Sequence, residues 1–269
     1  MIEKSKIISL KAQHKVLSSL EGIHKAIIFG EEDDLKNIRE YTYGDNVKRI
    51  NWIITAKERK PYVVEREELK SQNIIIVLLL DQEMLFKNKL DKVSEIFAIL
   101  GYSALYHKDK LHTYIFTDKI EKYFPHKNHP QHITNILDFI YSLDIKHKKI
   151  DTENIYRLIN RHKRSLVILI GDFVYPMNIL NIASKHKLSV ICVRDKEEEN
   201  PSGYTGFQLK SFDEKRKIPL LVSPMVKIYK RNLEKLDENL RHQIVLKRIP
   251  FQKIFTDEDP FIKLKLMFS

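Results

Sequence analysis

The sequence has a single cysteine, Cys192, one tryptophan, seven glycines and nine prolines, and each scarcity closes off a class of protein. One thiol cannot form an internal disulfide, so a cross-linked secreted scaffold is excluded and a buried, inert thiol in a reducing cytoplasm is expected. So little Gly and Pro leaves no linker, repeat or low-complexity tract. The longest apolar run covers residues 74–80, far short of the roughly 20 residues that cross a bilayer, so no transmembrane segment is expected. The charged first residues lead into no apolar stretch or small-residue cleavage motif, which argues against export. Also missing is a Gly-x-x-x-x-Gly-Lys-Ser/Thr loop, so ATP is not bound in that way. No Ser-His-Asp or Cys-His set stands out at strand ends, and nothing argues for an enzyme.

What the chain does have is positive charge and buried strands. Lys and Arg number 47 against 36 Asp and Glu, a formal charge of +11 over 269 residues. Such an excess attracts polyanions or acidic partners. It is scattered, however, in runs such as Lys146-His147-Lys148-Lys149, Arg161-His162-Lys163-Arg164 and Lys215-Arg216-Lys217. These fall at loops or helix ends without interleaved aromatics to stack on bases, so a solvated surface is expected and nucleic acid is not an expected partner.

Residues 73–81 run from Asn73 through seven apolar side chains to Asp81, the pattern of a strand buried on both faces. Residues 165–172 repeat the design and end on Asp172, and residues 188–195 follow after a helical segment. Between the first two, Leu90, Val93, Ile96, Phe97, Leu100 and Ala104 recur at helical spacing. Strands alternating with helices imply right-handed crossovers, which gather the strand C-terminal ends on one rim, where open α/β sheets bind ligands. Asp81 and Asp172 are therefore expected to meet.

Elsewhere, residues 5–20 read as a helix, 38–43 and 61–67 as strands around a Gly44-Asp45 turn, 111–116 and 120–124 as paired strands, and 177–186 as a helix. Val47, Ile50 and Trp52 are expected to anchor against the core. Residues 195–203 read as a loop, 206–212 with 218–222 as a hairpin, 225–242 as a basic amphipathic helix, 244–249 as a last strand and the residues from 259 as a docked apolar helix. Asp151 or Thr152 is placed to cap a helix over Ile155 and Ile159.

The stretch Arg39-Glu40-Tyr41, Gly44-Asp45, Arg49-Ile50-Asn51-Trp52 and Thr55-Ala56-Lys57, with Pro61-Tyr62-Val63 and Glu67-Glu68 leading into the strand that ends at Asp81, resembles the signature of the DUF-58 family (domain of unknown function 58). Asn51 and Lys57 stand where that pattern has Asp and Arg. The resemblance covers about residues 25 to 222. It implies a doubly wound, mostly parallel α/β sheet, von Willebrand factor A-like and Rossmann-like, with an N-terminal β-containing appendage. Residues 1–72 would be the signature segment packed on the core, and 73–269 the von Willebrand factor A-like domain with a hairpin insertion at 195–222. It also implies a rim built as a metal-ion-dependent adhesion site for Mg²⁺ or Mn²⁺. Asp81, Thr152 and Asp172 match that pattern, whereas Glu83 and Leu85 replace its two serines. Leu85 offers no oxygen to a hard cation, and Glu83 adds a third carboxylate, so the site is degenerate. The alternative is a rim in which Asp81 and Asp172 bond to loops and helix N-termini. For Arg39, Glu40, Asp45 and Arg49 the expectation is an ion-pair lattice with Trp52 as its plug, or else a partner-docking face.

By resemblance the protein is an interaction factor, an adaptor or chaperone-like partner of a MoxR-type AAA+ ATPase acting on an unknown client. Many family members carry transmembrane helices before the signature, whereas this chain starts almost directly at it, so a soluble, cytoplasmic form is expected. The alternative is a metal-dependent nuclease, suggested by Asp45 with Glu68-Leu69-Lys70. His126-x-x-His129-x-x-His132 has metal-like spacing, but Pro130 interrupts it and no Cys or carboxylate joins it, so it reads as a surface loop.

Overall fold

The computed structural model describes residues 2–18, 35–47, 50–66, 71–206, 209–210, 217–218 and 222–268. Its centre is a six-stranded sheet in the order β10-β7-β6-β3-β4-β5. The strands are β3 (Asn73–Leu79), β4 (Lys110–Phe116), β5 (Ile120–Phe124), β6 (Leu166–Gly171), β7 (Lys187–Arg194) and β10 (Phe251–Phe255). All neighbours are parallel except β5, which turns back antiparallel on β4. The chain enters at β3, builds outward to β5, then returns to β6 on the other side of β3. This is the doubly wound, von Willebrand factor A-like topology that the resemblance implies.

Period-two alternation inside the apolar runs decides the two faces. Ile74, Ile76, Leu78 and Leu80 join Ile168, Ile170, Ile191 and Val193 under helices α1 (Ile2–Ser18), α3 (Lys89–Tyr106), α4 (Pro130–Ser142) and α9 (Pro260–Phe268). Ile75, Val77 and Leu79 face the opposite way with Val167, Leu169 and Val190, beneath α5 (Thr152–Ile159), α6 (Leu180–Ala183) and α8 (Ser223–Lys247). Cys192 is buried on this second face as a free thiol, and burial pushes it up to about 11, which keeps it protonated and unreactive. Asp151 caps α5 by accepting from the Glu153 N–H at 3.1 Å. Asp151→Ala is expected to cost about 1 kcal/mol, read as a shift of the urea midpoint at unchanged slope.

Helix α1 belongs to the core's outer layer. Its Ser9 hydroxyl meets Tyr102 of α3 at 2.5 Å and Thr134 of α4 at 3.1 Å, and Lys15 pairs with Asp259 at 3.0 Å. Strand β1 (Leu35–Glu40) pairs antiparallel with β2 (Tyr62–Arg66), and α2 (Trp52–Glu58) lies between them in sequence. The two-residue strands β8 (Leu209–Lys210) and β9 (Lys217–Ile218) form the described part of the expected hairpin.

Several expectations need correction. The strand over 244–249 does not form: α8 continues through Lys247, ends on Arg248 with a φ of 49°, and the strand comes later, at β10. Ile244 and Val245 favour strands, but Leu233, Leu240 and Gln243 hold the helical period against the sheet and tertiary packing wins. The helix over 177–186 shrinks to α6. Residues 195–203 are not an open loop. Asp195 and Glu198 form a capping box around α7 (Lys196–Glu199), and a 3-10 turn follows at Pro201–Tyr204. His132 is not on a surface loop either; it is buried in α4, edge-to-face with Phe124, while His129 caps that helix.

No described helix is long and apolar enough to cross a membrane.

Candidate functional site

Strand order reverses between β3 and β6, and the crevice outside their C-terminal ends is the position at which open α/β sheets bind. Both strands exit on a carboxylate, and both are buried: Asp81 after β3, Asp172 after β6. The chain beyond Asp81 tightens at once into a 3-10 turn, Gln82–Leu85, and the Asp81 carboxylate accepts the Glu83 N–H at 3.1 Å. Asp172 accepts the Val174 N–H at 3.3 Å. The residue between, Phe173, is buried at a φ of 54°, a left-handed backbone unusual for a bulky side chain.

Sequence reasoning missed the group at the centre of the rim. Lys89, the first residue of α3, has 0% of its side chain exposed. Its ammonium donates to Asp172 Oδ2 at 3.0 Å and to both oxygens of Glu198, at 2.8 and 3.0 Å. Burial alone would lower its pKa; the Asp172 and Glu198 charges reverse that and raise it, so the lysine stays charged. Around it, burial and then the Asp172 and Glu83 charges push Asp81 up to about 8. Glu83 is raised in the same way, by burial first and Asp172 second. Tyr175 and Tyr229 close the surroundings. The Tyr175 hydroxyl is buried without a partner, and burial followed by Asp172 and Asp81 raises it far above the phenol range. Burial, then Glu198, pushes Tyr229 of α8 up to about 12.

A second ionic group lies beside the first. The buried Arg194 donates its Nε to the Asp172 carbonyl at 2.6 Å and Nη2 to Asp237 at 3.1 Å. Lys253 of β10 joins Asp237 at 2.8 Å and Glu199 at 2.6 Å. Helix α8, strand β10 and the turn at α7 are thereby tied to the strand ends.

The donor set does not fit a divalent cation. Asp172 is already bonded to the Lys89 ammonium, Leu85 offers no oxygen, and Thr152 stands at the start of α5 with its side chain against Tyr156. Among the described residues no group of three or more His, Cys, Asp or Glu is arranged to hold a metal ion.

The signature segment forms its own small module. Arg39 makes a two-pronged pair with Asp45, Nη1 to Oδ2 and Nη2 to Oδ1, each at 2.7 Å, and Asp45 also accepts the Thr42 N–H and hydroxyl. The Arg39 hydrogen bond, followed by that of the Thr42 backbone, holds the Asp45 carboxyl well below the usual carboxylate range. Gly44, at a φ of 107°, makes the turn that lets Asp45 reach back. Glu40 pairs with Lys60 at 2.9 Å, and Tyr41 donates its N–H to the Pro61 carbonyl at 2.7 Å. Asn51 caps α2 by accepting from Ile53 and Ile54, while Lys57 lies exposed in the last turn. Trp52 is not a plug: it is 66% exposed, Ile53 is 73% exposed, and Tyr43 and Val47 are open to solvent. The cap at Asn51 fixes the helix start, and Trp52, its first residue, is left exposed to solvent. Arg49 lies outside the described residues, as do Glu68, Leu69 and Lys70 of the nuclease pattern.

Comparison with known proteins adds a family but no activity. No functionally curated protein matches the sequence. Among solved structures, the chain is similar to the conserved hypothetical protein BatB from Bacteroides thetaiotaomicron, with 14% identity and a TM-score of 0.39, over 73% of this chain and 96% of that one. The family described as "Protein of unknown function DUF58" matches residues 37–220. That span takes in the signature module, Asp81, Lys89, Asp172 and Glu198, and the chain therefore belongs to the DUF58 family.

Proposed function

We propose that this chain is a non-enzymatic interaction protein, an adaptor or chaperone-like factor that works in the cytoplasm with a MoxR-type AAA+ ATPase on a client complex. The observation that supports it most is the signature module. Large apolar side chains are exposed at Tyr43, Val47, Trp52 and Ile53, in a segment that also carries a bidentate Arg39 and Asp45 pair and a capped helix. Exposed aromatic and apolar groups on a rigid base are what a docking surface presents, and Trp is the side chain most often found at its energetic centre. The rim, by contrast, is filled by its own lysine, which directs attention to the module as the contact face.

The test is direct binding of the purified protein to a MoxR-type ATPase from the same organism, in the presence of a non-hydrolysable ATP analogue. Trp52→Ala with Ile53→Ser is expected to weaken binding by about tenfold or more while leaving the melting temperature nearly unchanged, since both side chains are exposed. Absence of binding by the wild-type protein would sink the proposal. Undiminished binding by the double variant would move the contact away from the module.

A further inference from the structure

We infer that the Lys89 ammonium takes the place of a divalent cation at the switch-point rim, so that the chain carries its own fixed counter-ion there and the rim works without metal. This inference is independent of the ATPase proposal.

A lysine has strong reasons not to be where Lys89 is. It is the first residue of α3, at the positive end of the helix dipole, where a cation is disfavoured. It is fully buried, which strips the ammonium of water. Only the carboxylates offset these costs. The ammonium reaches two carboxylates, Asp172 through one oxygen and Glu198 through both. The acceptors come from far-apart segments, Asp172 after β6 and Glu198 from α7, so the ammonium joins elements as a bound ion would.

The charge balance fits a monovalent centre. Asp81, Glu83, Asp172 and Glu198 all act electrostatically on this group. The single positive charge is paired directly with Asp172 and Glu198 alone. The ligand chemistry agrees: Leu85 adds no oxygen, whereas an ammonium needs only three acceptors. Withdrawing the lysine side chain would leave the Asp172 and Glu198 oxygens facing an unfilled space, and oxygen donors are what a hard cation takes.

The experiment uses the full chain and Mn²⁺ alone as the probe. Bound Mn²⁺ is counted by loss of the free-ion EPR signal, and melting temperature is followed in EDTA and in about 1 mM Mn²⁺. Wild type is expected to bind no more Mn²⁺ than Asp172→Asn and to melt at the same temperature with metal or EDTA. Lys89→Ser is expected to melt lower in EDTA, to gain a Mn²⁺ site and to recover about 5 °C or more with the ion, and Lys89→Ser combined with Asp172→Asn to lose that gain. Wild-type Mn²⁺ binding that Asp172→Asn abolishes would overturn the inference. So would a folded Lys89→Ser protein indifferent to Mn²⁺. If Lys89→Ser yields no folded protein in either condition, the wild-type titration decides alone: binding at the rim overturns the inference, and none upholds it.

Discussion

Replacing Lys89 by methionine is expected to destabilise the protein by about 3–5 kcal/mol, the cost of leaving a buried charge without its partner. Methionine keeps an unbranched apolar stem of four atoms and drops only the ammonium position, so most of the packing at the rim is retained and the main lost term is electrostatic. Asp172 has no exposed surface and Glu198 very little, so water cannot replace the ammonium. Urea denaturation should show a lower midpoint at unchanged slope. Adding Asp172→Asn and Glu198→Gln should return much of the loss, because neutral amides have no charge left to compensate. A small cost for Lys89→Met alone would mean that Asp172 and Glu198 find other partners. In that case the ammonium would not be the centre of the rim.

Asp81→Asn is expected to remove a pH dependence rather than a contact. In the fold, Asp81 is pushed up to about 8 by burial and by the Asp172 and Glu83 charges, whereas an unfolded aspartate titrates near about 3.9. Between those values the native state holds a proton that the unfolded chain has released. The stabilisation is therefore fully present below about pH 4 and is lost as pH rises through about 8. The limiting slope is about 1.4 kcal/mol per pH unit. Asparagine preserves the oxygen that accepts the Glu83 N–H and has no charge to impose. The variant should match wild type below about pH 4 and gain on it by about 1.4 kcal/mol per unit from there toward pH 8, as measured by denaturation at several pH values. A flat difference would show that Asp81 is ionised in the fold, with Lys89 as its counter-charge.

The sheet was legible because buried parallel strands leave uninterrupted apolar runs, and because the carboxylates at the ends of β3 and β6 stand where the chain leaves the core. Lys89 was hidden by its type. A lysine at the start of an amphipathic helix reads as solvated, yet its position shares the stripe of Val93, Ile96 and Leu100, all buried. That register was the available signal. Glu198 carried none: it lies in a run of charged residues, and only the tertiary fold singles it out from Glu197 and Glu199. Trp52 misled in the opposite sense, since hydrophobicity says nothing about which way a helix start faces once Asn51 has capped it. At 244–249, residue preference for strands was outweighed by the packing of α8.

The sheet's outermost strand on one side is supplied late in the chain. β10 pairs along β7, from Phe251 opposite Val190 to Phe255 opposite Arg194, after the whole of α8 has intervened. During synthesis, then, β7 leaves the ribosome with one row of backbone groups unpaired and stays so until residues 251–255 emerge. A bare parallel edge of apolar residues is a template for mispairing with other chains.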